Sequence, residues 1–218
     1  MFFGGSLARD GTKPFIIDFK NEWHNTGMIV FRRNYGKVPL YINGFTDGTP
    51  VIKNSGSICL YSTTWDVQTT IEGNGCISVG YDSILHVELR QNRVRAPSGQ
   101  VIYLESFNSY LRISGLRLEL HYEPEFKVAG FGQNNVIEFD IDINHISLLN
   151  YHADSGTIFV ASDRYLDVSF VIGKGYDGFA IKVTLSPNGS KLTYDRPVPD
   201  VSRPSECRCQ SHFPSVFY

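Results

Sequence analysis

The sequence predicts an all-β protein, a parallel β-helix of short strands followed by a smaller antiparallel unit. Three observations predict it. Tyr (12), Phe (15) and Gly (20) are plentiful among 218 residues, whereas Ala occurs only six times. Aromatic residues and glycines suit strands and turns, and a helical chain would draw more on Ala. A turn-then-strand signature recurs through the first half. Beyond residue 123 the pattern becomes a strict alternation of apolar and polar residues.

The recurring signature begins at Asn25-Thr26-Gly27-Met28-Ile29-Val30 and returns as Asn54-Ser55-Gly56-Ser57-Ile58-Cys59-Leu60. Its third copy is Gly73-Asn74-Gly75-Cys76-Ile77-Ser78-Val79, so the isoleucines lie 29 and then 19 residues apart. Uneven spacing with a constant signature describes stacked coils whose corner loops differ in length. Ile29, Ile58 and Ile77 then point inward, one above another. Asn and Gly ahead of each strand are the residues that take left-handed corner conformations. Gln100-Val101-Ile102-Tyr103-Leu104 and Tyr110-Leu111-Arg112-Ile113 continue the series. Residues 1–123 are therefore read as β-helix coils.

His121-Tyr122-Glu123-Pro124-Glu125 interrupts the repeat. Ile137, Phe139, Ile141 and Ile143 then alternate with Glu138, Asp140, Asp142 and Asn144, as in an antiparallel strand with one wet face. Ala153-Asp154-Ser155-Gly156 separates two further strands, Ile146 to Leu149 and Thr157 to Val160, as a hairpin turn would. Leu166 to Ile172 and Phe179 to Leu185 supply two more, around Gly173-Lys174-Gly175. Residues 124–200 form the antiparallel unit, and 201–218 a tail carrying Cys207 and Cys209.

A net charge of -2 without a basic run gives no reason for nucleic-acid binding. No apolar stretch is long enough to cross a bilayer, so direct membrane insertion is not expected. The opening MFFGGSLARDGTKPF is no signal-peptide core. Asn188-Gly189-Ser190 is a sequon for N-glycosylation.

Candidate chemistry is sparse. Cys207, Cys209 and His212 are ligand-type residues, but zinc needs a fourth ligand, usually from a second spaced cluster. His24, His86, His121, His145 and His152 have no such spacing. Glu138, Asp140 and Asp142 are a potential cation ladder, although strand alternation explains them. A glycosidase needs two facing carboxyl groups, and a lyase needs a base beside a cation. Asp66, Glu72, Asp82 and Glu88 fall singly or in turns. Trp23, Trp65, Tyr81, Tyr103 and Tyr110 offer a possible sugar-stacking face, with core or ordinary strand positions as the simpler reading. Gly173-Lys174-Gly175 lacks the helix of a phosphate loop and reads as a turn. No cofactor, catalytic residue or metal site is assigned.

Seven segments in order carry a resemblance. They are Gly56 to Leu60, Gly73 to Val79, Gln100 to Leu104, Val128-Ala129-Gly130-Phe131-Gly132-Gln133-Asn134-Asn135, Ile172-Gly173-Lys174-Gly175-Tyr176-Asp177, Thr193-Tyr194-Asp195-Arg196-Pro197 and Cys207-Arg208-Cys209. Together they resemble the N-terminal domain of the hyphally regulated cell-wall proteins, the yeast adhesin-like wall proteins. The resemblance implies a right-handed β-helix followed by a compact α-crystallin-like β domain. It also implies secretion, and display on a GPI-anchored, Ser/Thr-rich stalk in the wall. Arg196 stands where Gly is more usual. The family pattern includes a signal peptide and further coils ahead of Met1, and a stalk after Tyr218.

Cys59 and Cys76 fall in adjacent coils, and joining Cys207 to Cys209 would close a very small ring. The expected pairing bonds each tail cysteine to one coil cysteine, with the assignment open. The functional expectation is a monomeric, non-enzymatic adhesin-like module. Its ligand is unknown: a host glycan, a matrix protein or an abiotic surface. The rivals are a carbohydrate-active β-helix enzyme, either polysaccharide lyase or hydrolase, and a purely structural wall protein.

Overall fold

A computed structural model describes residues 1–5, 13–20, 22–34, 36–44, 51–90, 94–97, 99–118 and 122–210. The first strands are β1 (Phe2–Gly5), β2 (Phe15–Phe19), β3 (Glu22–Asn25), β4 (Met28–Arg33), β5 (Val38–Gly44), β6 (Val51–Asn54) and β7 (Ser57–Tyr61). Next come β8 (Thr63–Val67), β9 (Thr70–Glu72), β10 (Cys76–Val79), β11 (Ile84–Glu88), β12 (Val101–Leu104), β13 (Tyr110–Ser114) and β14 (Glu125–Ala129). The last are β15 (Val136–Phe139), β16 (Ile146–His152), β17 (Thr157–Ser162), β18 (Val168–Val171), β19 (Ile181–Ser186) and β20 (Gly189–Tyr194). Two single-turn 3-10 segments, Ile143–His145 and Gly178–Ala180, are the described helical elements.

The strands wind a parallel β-solenoid. One face is a nine-stranded sheet in the order β1-β4-β7-β10-β12-β14-β18-β17-β16, and another is an eight-stranded sheet, β19-β20-β15-β13-β11-β8-β5-β2. A third face, β3-β6-β9, serves the early coils. Ile29 pairs in register with Ile58, Ile58 with Ile77, Ile77 with Ile102, and Ile102 with Val128. This inward column is buried, as is the column Leu40, Trp65, Leu85, Leu111, Ile137 and Leu192 on the opposite sheet. The predicted isoleucine stack is therefore the spine of the core.

The Asn-x-Gly corners have two physical roles. Asn25 Nδ2 donates to Asn54 Oδ1 at 2.8 Å, and Asn54 Nδ2 donates to Gln100 Oε1 at 2.6 Å. This buried amide ladder ties three coils and satisfies polar groups that would otherwise be costly to bury. The glycines answer a different need from the left-handed geometry expected of them. A Cβ on Gly56 would fall 2.0 Å from the Gly27 carbonyl oxygen, and one on Gly75 would fall 2.4 Å from that of Gly56. Close backbone stacking, rather than a positive φ, excludes a side chain at both.

Residues after 123 depart from the expectation. β14 pairs parallel with β12, β15 parallel with β13, and β18 parallel with β14, so the solenoid sheets run unbroken past that point. Antiparallel pairing joins β16 to β17 and β17 to β18 on one sheet, and β19 to β20 to β15 on the other. The alternating run from Ile137 to Asn144 is not one antiparallel strand. It spans β15, a bend and the first 3-10 turn. His121, at the interruption, lies outside the described residues.

Candidate functional site

The tail crosses the outer face of the nine-stranded sheet. In β7 and β10, Ile58, Leu60, Ile77 and Val79 face the core, which leaves Ser57, Cys59, Cys76 and Ser78 facing outward. These outward residues are nevertheless buried, because the tail covers them. Cys59 is bonded to Cys209 and Cys76 to Cys207. Each coil cysteine takes one tail cysteine, and the assignment that sequence left open is now fixed. Between the bridges, Ser57 Oγ donates to the Glu206 carbonyl at 2.7 Å and accepts from the Arg208 amide at 2.9 Å. Val30, Cys59, Tyr61 and Cys209 form a second apolar cluster outside the solenoid.

Glu105 anchors the same clasp. It accepts from Arg203 Nη2 at 2.7 Å, from Ser78 Oγ at 2.9 Å and from the Tyr61 hydroxyl at 3.1 Å. Burial first, and then the Glu105 carboxylate, pushes the Tyr61 hydroxyl well above its ordinary range. Arg203 also stands over the Tyr103 ring at 5.7 Å. His212 lies outside the described residues. Among the described residues, no group of three His, Cys, Asp or Glu is placed to hold a metal ion.

A groove of about 400 Å³ runs along the outer face of the eight-stranded sheet, lined by His86, Arg112, Ser114, Glu138, Asp140 and Asn188 among others. Coil registration places Asp66 beside His86, His86 beside Arg112, and Arg112 beside Glu138. His86 Nδ1 is 2.9 Å from Asp66 Oδ1, and its Nε2 is 2.8 Å from Ser114 Oγ. Asp66, His86 and Ser114 therefore form a hydrogen-bonded Asp–His–Ser relay. Sequence reading missed it because the three residues come from successive coils of unequal length. The register that sequence does reveal, Ile58 over Ile77, would set Asp66 against Leu85, whereas the sheet sets it against His86.

The backbone donors next to Ser114 are already occupied. An acyl-transfer site needs backbone N–H donors free to hold a developing oxyanion, commonly the amides at and after the nucleophile. Gly115 N donates to Asp140 Oδ2 at 2.8 Å, and Leu116 N donates to Asp140 Oδ1 at 3.1 Å. Asp140 thus fills the pair of donors that follows Ser114. Its burial outweighs these bonds and pushes its carboxyl above the ordinary value.

Glu138, expected on a wet strand face, is 1% exposed. The hairpin β19–β20 folds over it. Ser186 Oγ donates to one carboxylate oxygen, Arg112 Nε reaches the other at 2.5 Å, and Asn188 Nδ2 approaches both at 3.3 to 3.4 Å. Burial alone would raise this carboxyl, but the bonds from Ser186, Arg112 and Tyr110 together hold it below the ordinary value. Burial, together with Glu138, pushes the Tyr110 hydroxyl up to about 12. Asp142 caps the first 3-10 turn by accepting from Asn144 N at 2.9 Å. The three carboxylates therefore have three separate structural partners and form no shared cation ladder.

The remaining candidates are dispersed. Trp65 is a core residue and Trp23 pairs in register with Ile52, in keeping with the core and ordinary strand positions expected of the aromatic residues. Tyr81 packs on Tyr61, with ring centroids 5.6 Å apart. His24 bonds Glu22, His145 bonds Asp163 and His152 contacts Asn150, each apart from the others. Asp82 pairs with Lys37 and Glu88 with Arg90, both at the surface, and Glu72 is exposed. Gly173 and Gly175 have φ of 96° and 88°, in keeping with a turn. Asn188 is exposed at the tip of the β19–β20 hairpin.

The family model described as hyphally regulated cell wall protein N-terminal matches residues 1–216. The chain is 29% identical over 224 residues to cell wall protein IFF6 of Candida albicans, covering 96% of this chain and 20% of that protein. It is 30% identical over 220 residues to hyphally regulated cell wall protein 3 of the same organism, covering 93% and 16%. With hyphally regulated cell wall protein 1 of that organism, the identity is 28% over 215 residues, covering 92% and 21%. The chain spans about a fifth of the length of the curated relatives it matches. A match over nearly the whole chain is decisive: this is a cell-wall protein, and it belongs to the hyphally regulated cell wall protein N-terminal family.

Proposed function

We propose that this domain is a non-enzymatic surface module of the fungal wall that mediates adhesion to host or abiotic surfaces. The observation that carries the reading is the double clasp, in a family of cell-wall proteins. Two disulfides fasten residues 207 and 209 across adjacent coils of a continuously packed solenoid. A rigid body of this kind suits repeated display, where many weak contacts gain strength through avidity. The same reading takes the antiparallel strands within residues 124–200, β16–β17 and β19–β20, as an α-crystallin-like closing unit on the end of the solenoid. It further takes the longer protein to be GPI-anchored, and Asn188 to carry an N-glycan. The domain acts as a monomer without a cofactor.

The test is retention of the purified domain on a panel of glycans, matrix proteins and plastics, with a reduced sample as control. Specific retention on at least one surface is expected. Uniform failure, with the fold intact, would favour a purely structural wall role. The enzyme rival is supported by the Asp66–His86–Ser114 relay and opposed by the filled donor pair at Gly115 and Leu116. A fluorophosphonate probe is expected to leave Ser114 unlabelled. Pectins, β-glucans and mannans are expected to yield neither reducing ends nor unsaturated products. Turnover abolished by Ser114→Ala or His86→Ala would overturn the non-enzymatic reading.

A further inference from the structure

We propose that a second groove, between β16 and the 3-10 turn Gly178–Ala180, binds the apolar face of a neutral hexopyranose. The inference rests on the adhesion reading and names a ligand class for it. The groove encloses about 410 Å³, within the range of roughly 300 to 1,000 Å³ usual for small-molecule sites. Its floor is apolar, with Ile158 and Ile181 both buried. Tyr151 forms a wall, Asp177 supplies a carboxylate, and Phe179 stands at the rim.

Phe179 is 100% exposed, so its ring contributes nothing to the core. The turn that carries it is nonetheless firmly held by neighbouring groups. Asp177 Oδ1 accepts from Phe179 N at 3.0 Å, and Ala180 N donates to the Asp177 carbonyl at 3.0 Å. Asp177 N donates to the Tyr194 hydroxyl at 3.3 Å, while Arg196 Nη1 reaches Asp177 Oδ2 at 2.5 Å. Just ahead, the Tyr176 hydroxyl donates to the Phe131 carbonyl at 2.8 Å, and its ring packs edge-on against Tyr194 at 5.0 Å. These bonds position a bare aromatic ring without using it.

A pyranose matches this arrangement in each respect. Its C–H face is slightly positive and packs on the negative face of an aromatic ring. Its hydroxyl edge donates, and the carboxylate oxygens of Asp177, each with one bond made inside the turn, keep acceptor positions to spare. Arg196 already meets the charge of Asp177, so the groove favours a neutral ligand over a cation. β16 is the last strand of its sheet, so a peptide strand paired along its edge is the alternative occupant that the experiment separates.

The experiment titrates methyl β-glucopyranoside, methyl α-mannopyranoside and methyl β-galactopyranoside into the intact, oxidised domain, followed by backbone amide NMR. At least one is expected to shift Asn150, Tyr151, Asp177 and Phe179 in a saturable manner. Phe179→Ala should weaken that binding about tenfold while leaving the thermal midpoint unchanged, and Phe179→Trp should restore it. The proposal is overturned if no glycoside shifts these residues, if the shifts map elsewhere, or if Phe179→Ala binds as the parent does. Peptide pairing along β16, insensitive to Phe179, would also overturn it. Surface retention measured in parallel separates the two readings. Retention by Phe179→Ala beside a silent titration sinks the groove alone, and saturable glycoside binding without retention sinks adhesion alone.

Discussion

Glu138 and Asp140 lie two residues apart, yet their environments shift their carboxyl groups in opposite directions. The folded Glu138 carboxyl lies below its unfolded value of about 4.3. It therefore contributes stability above that pH, and the contribution is lost as pH falls through the folded value. Asp140 is raised above its unfolded value of about 3.9, so the folded state gains stability as pH falls through its folded value. Urea midpoints measured from pH 7 to about pH 3 should separate them. Glu138→Gln should cost about 1–3 kcal/mol at neutral pH and flatten the acid loss. Asp140→Asn should make the acid loss steeper. Identical pH profiles for both variants would contradict this assignment. Sequence alone misread Glu138, because alternation along a strand says which residues face outward and nothing about what covers that face. The covering groups, Ser186 and Asn188, come from a hairpin some 50 residues later.

Among the elements, the coil corners and the inward column were legible, because each coil must repeat the same two solutions. Ile29, Ile58 and Ile77 announce themselves by position relative to Asn and Gly, and the register confirms them as a stack. The relay of Asp66, His86 and Ser114 was illegible for the opposite reason, since loops of unequal length hide which residues share a rung. Two substitutions test the element-level account. Ile58→Asp puts a charge into a fully buried position, with Ile29 and Ile77 on either side, and should cost about 3–5 kcal/mol or prevent folding. Asn54→Ala removes the middle of the amide ladder. It should lower stability by about 2 to 4 kcal/mol, because both Asn25 and Gln100 lose a buried partner. Chemical denaturation of each variant gives the numbers. A change below 1 kcal/mol for Asn54→Ala would mean that the backbone ladder holds the corner unaided.

For the whole molecule, the two bridges should not act independently. Cys59–Cys209 spans 150 residues and Cys76–Cys207 spans 131, so either one alone closes a long loop and contributes about 5 kcal/mol in the chain-entropy model. Once one is closed, however, the other closes only the short circuit through 59–76 and 207–209. A loop of that size is worth about 3 kcal/mol. Removing either pair, as Cys59→Ala with Cys209→Ala or Cys76→Ala with Cys207→Ala, should therefore cost about 3 kcal/mol, while removing both should cost about 8 kcal/mol. The double loss exceeds the sum of the single ones because each bridge shortens the loop that the other must close. Far-UV circular dichroism should change little on reduction at low temperature, since the strand ladders pair coil with coil and need no residue of the tail. Release should instead uncover Cys59, Tyr61 and Val30 on the outer face of the nine-stranded sheet, which binding of a hydrophobic dye would report. Collapse of the strand signal would mean that the tail is part of the solenoid's own cooperative unit. A strictly additive pair of losses would mean that the bridges act mainly through contacts in the folded state rather than through the unfolded chain.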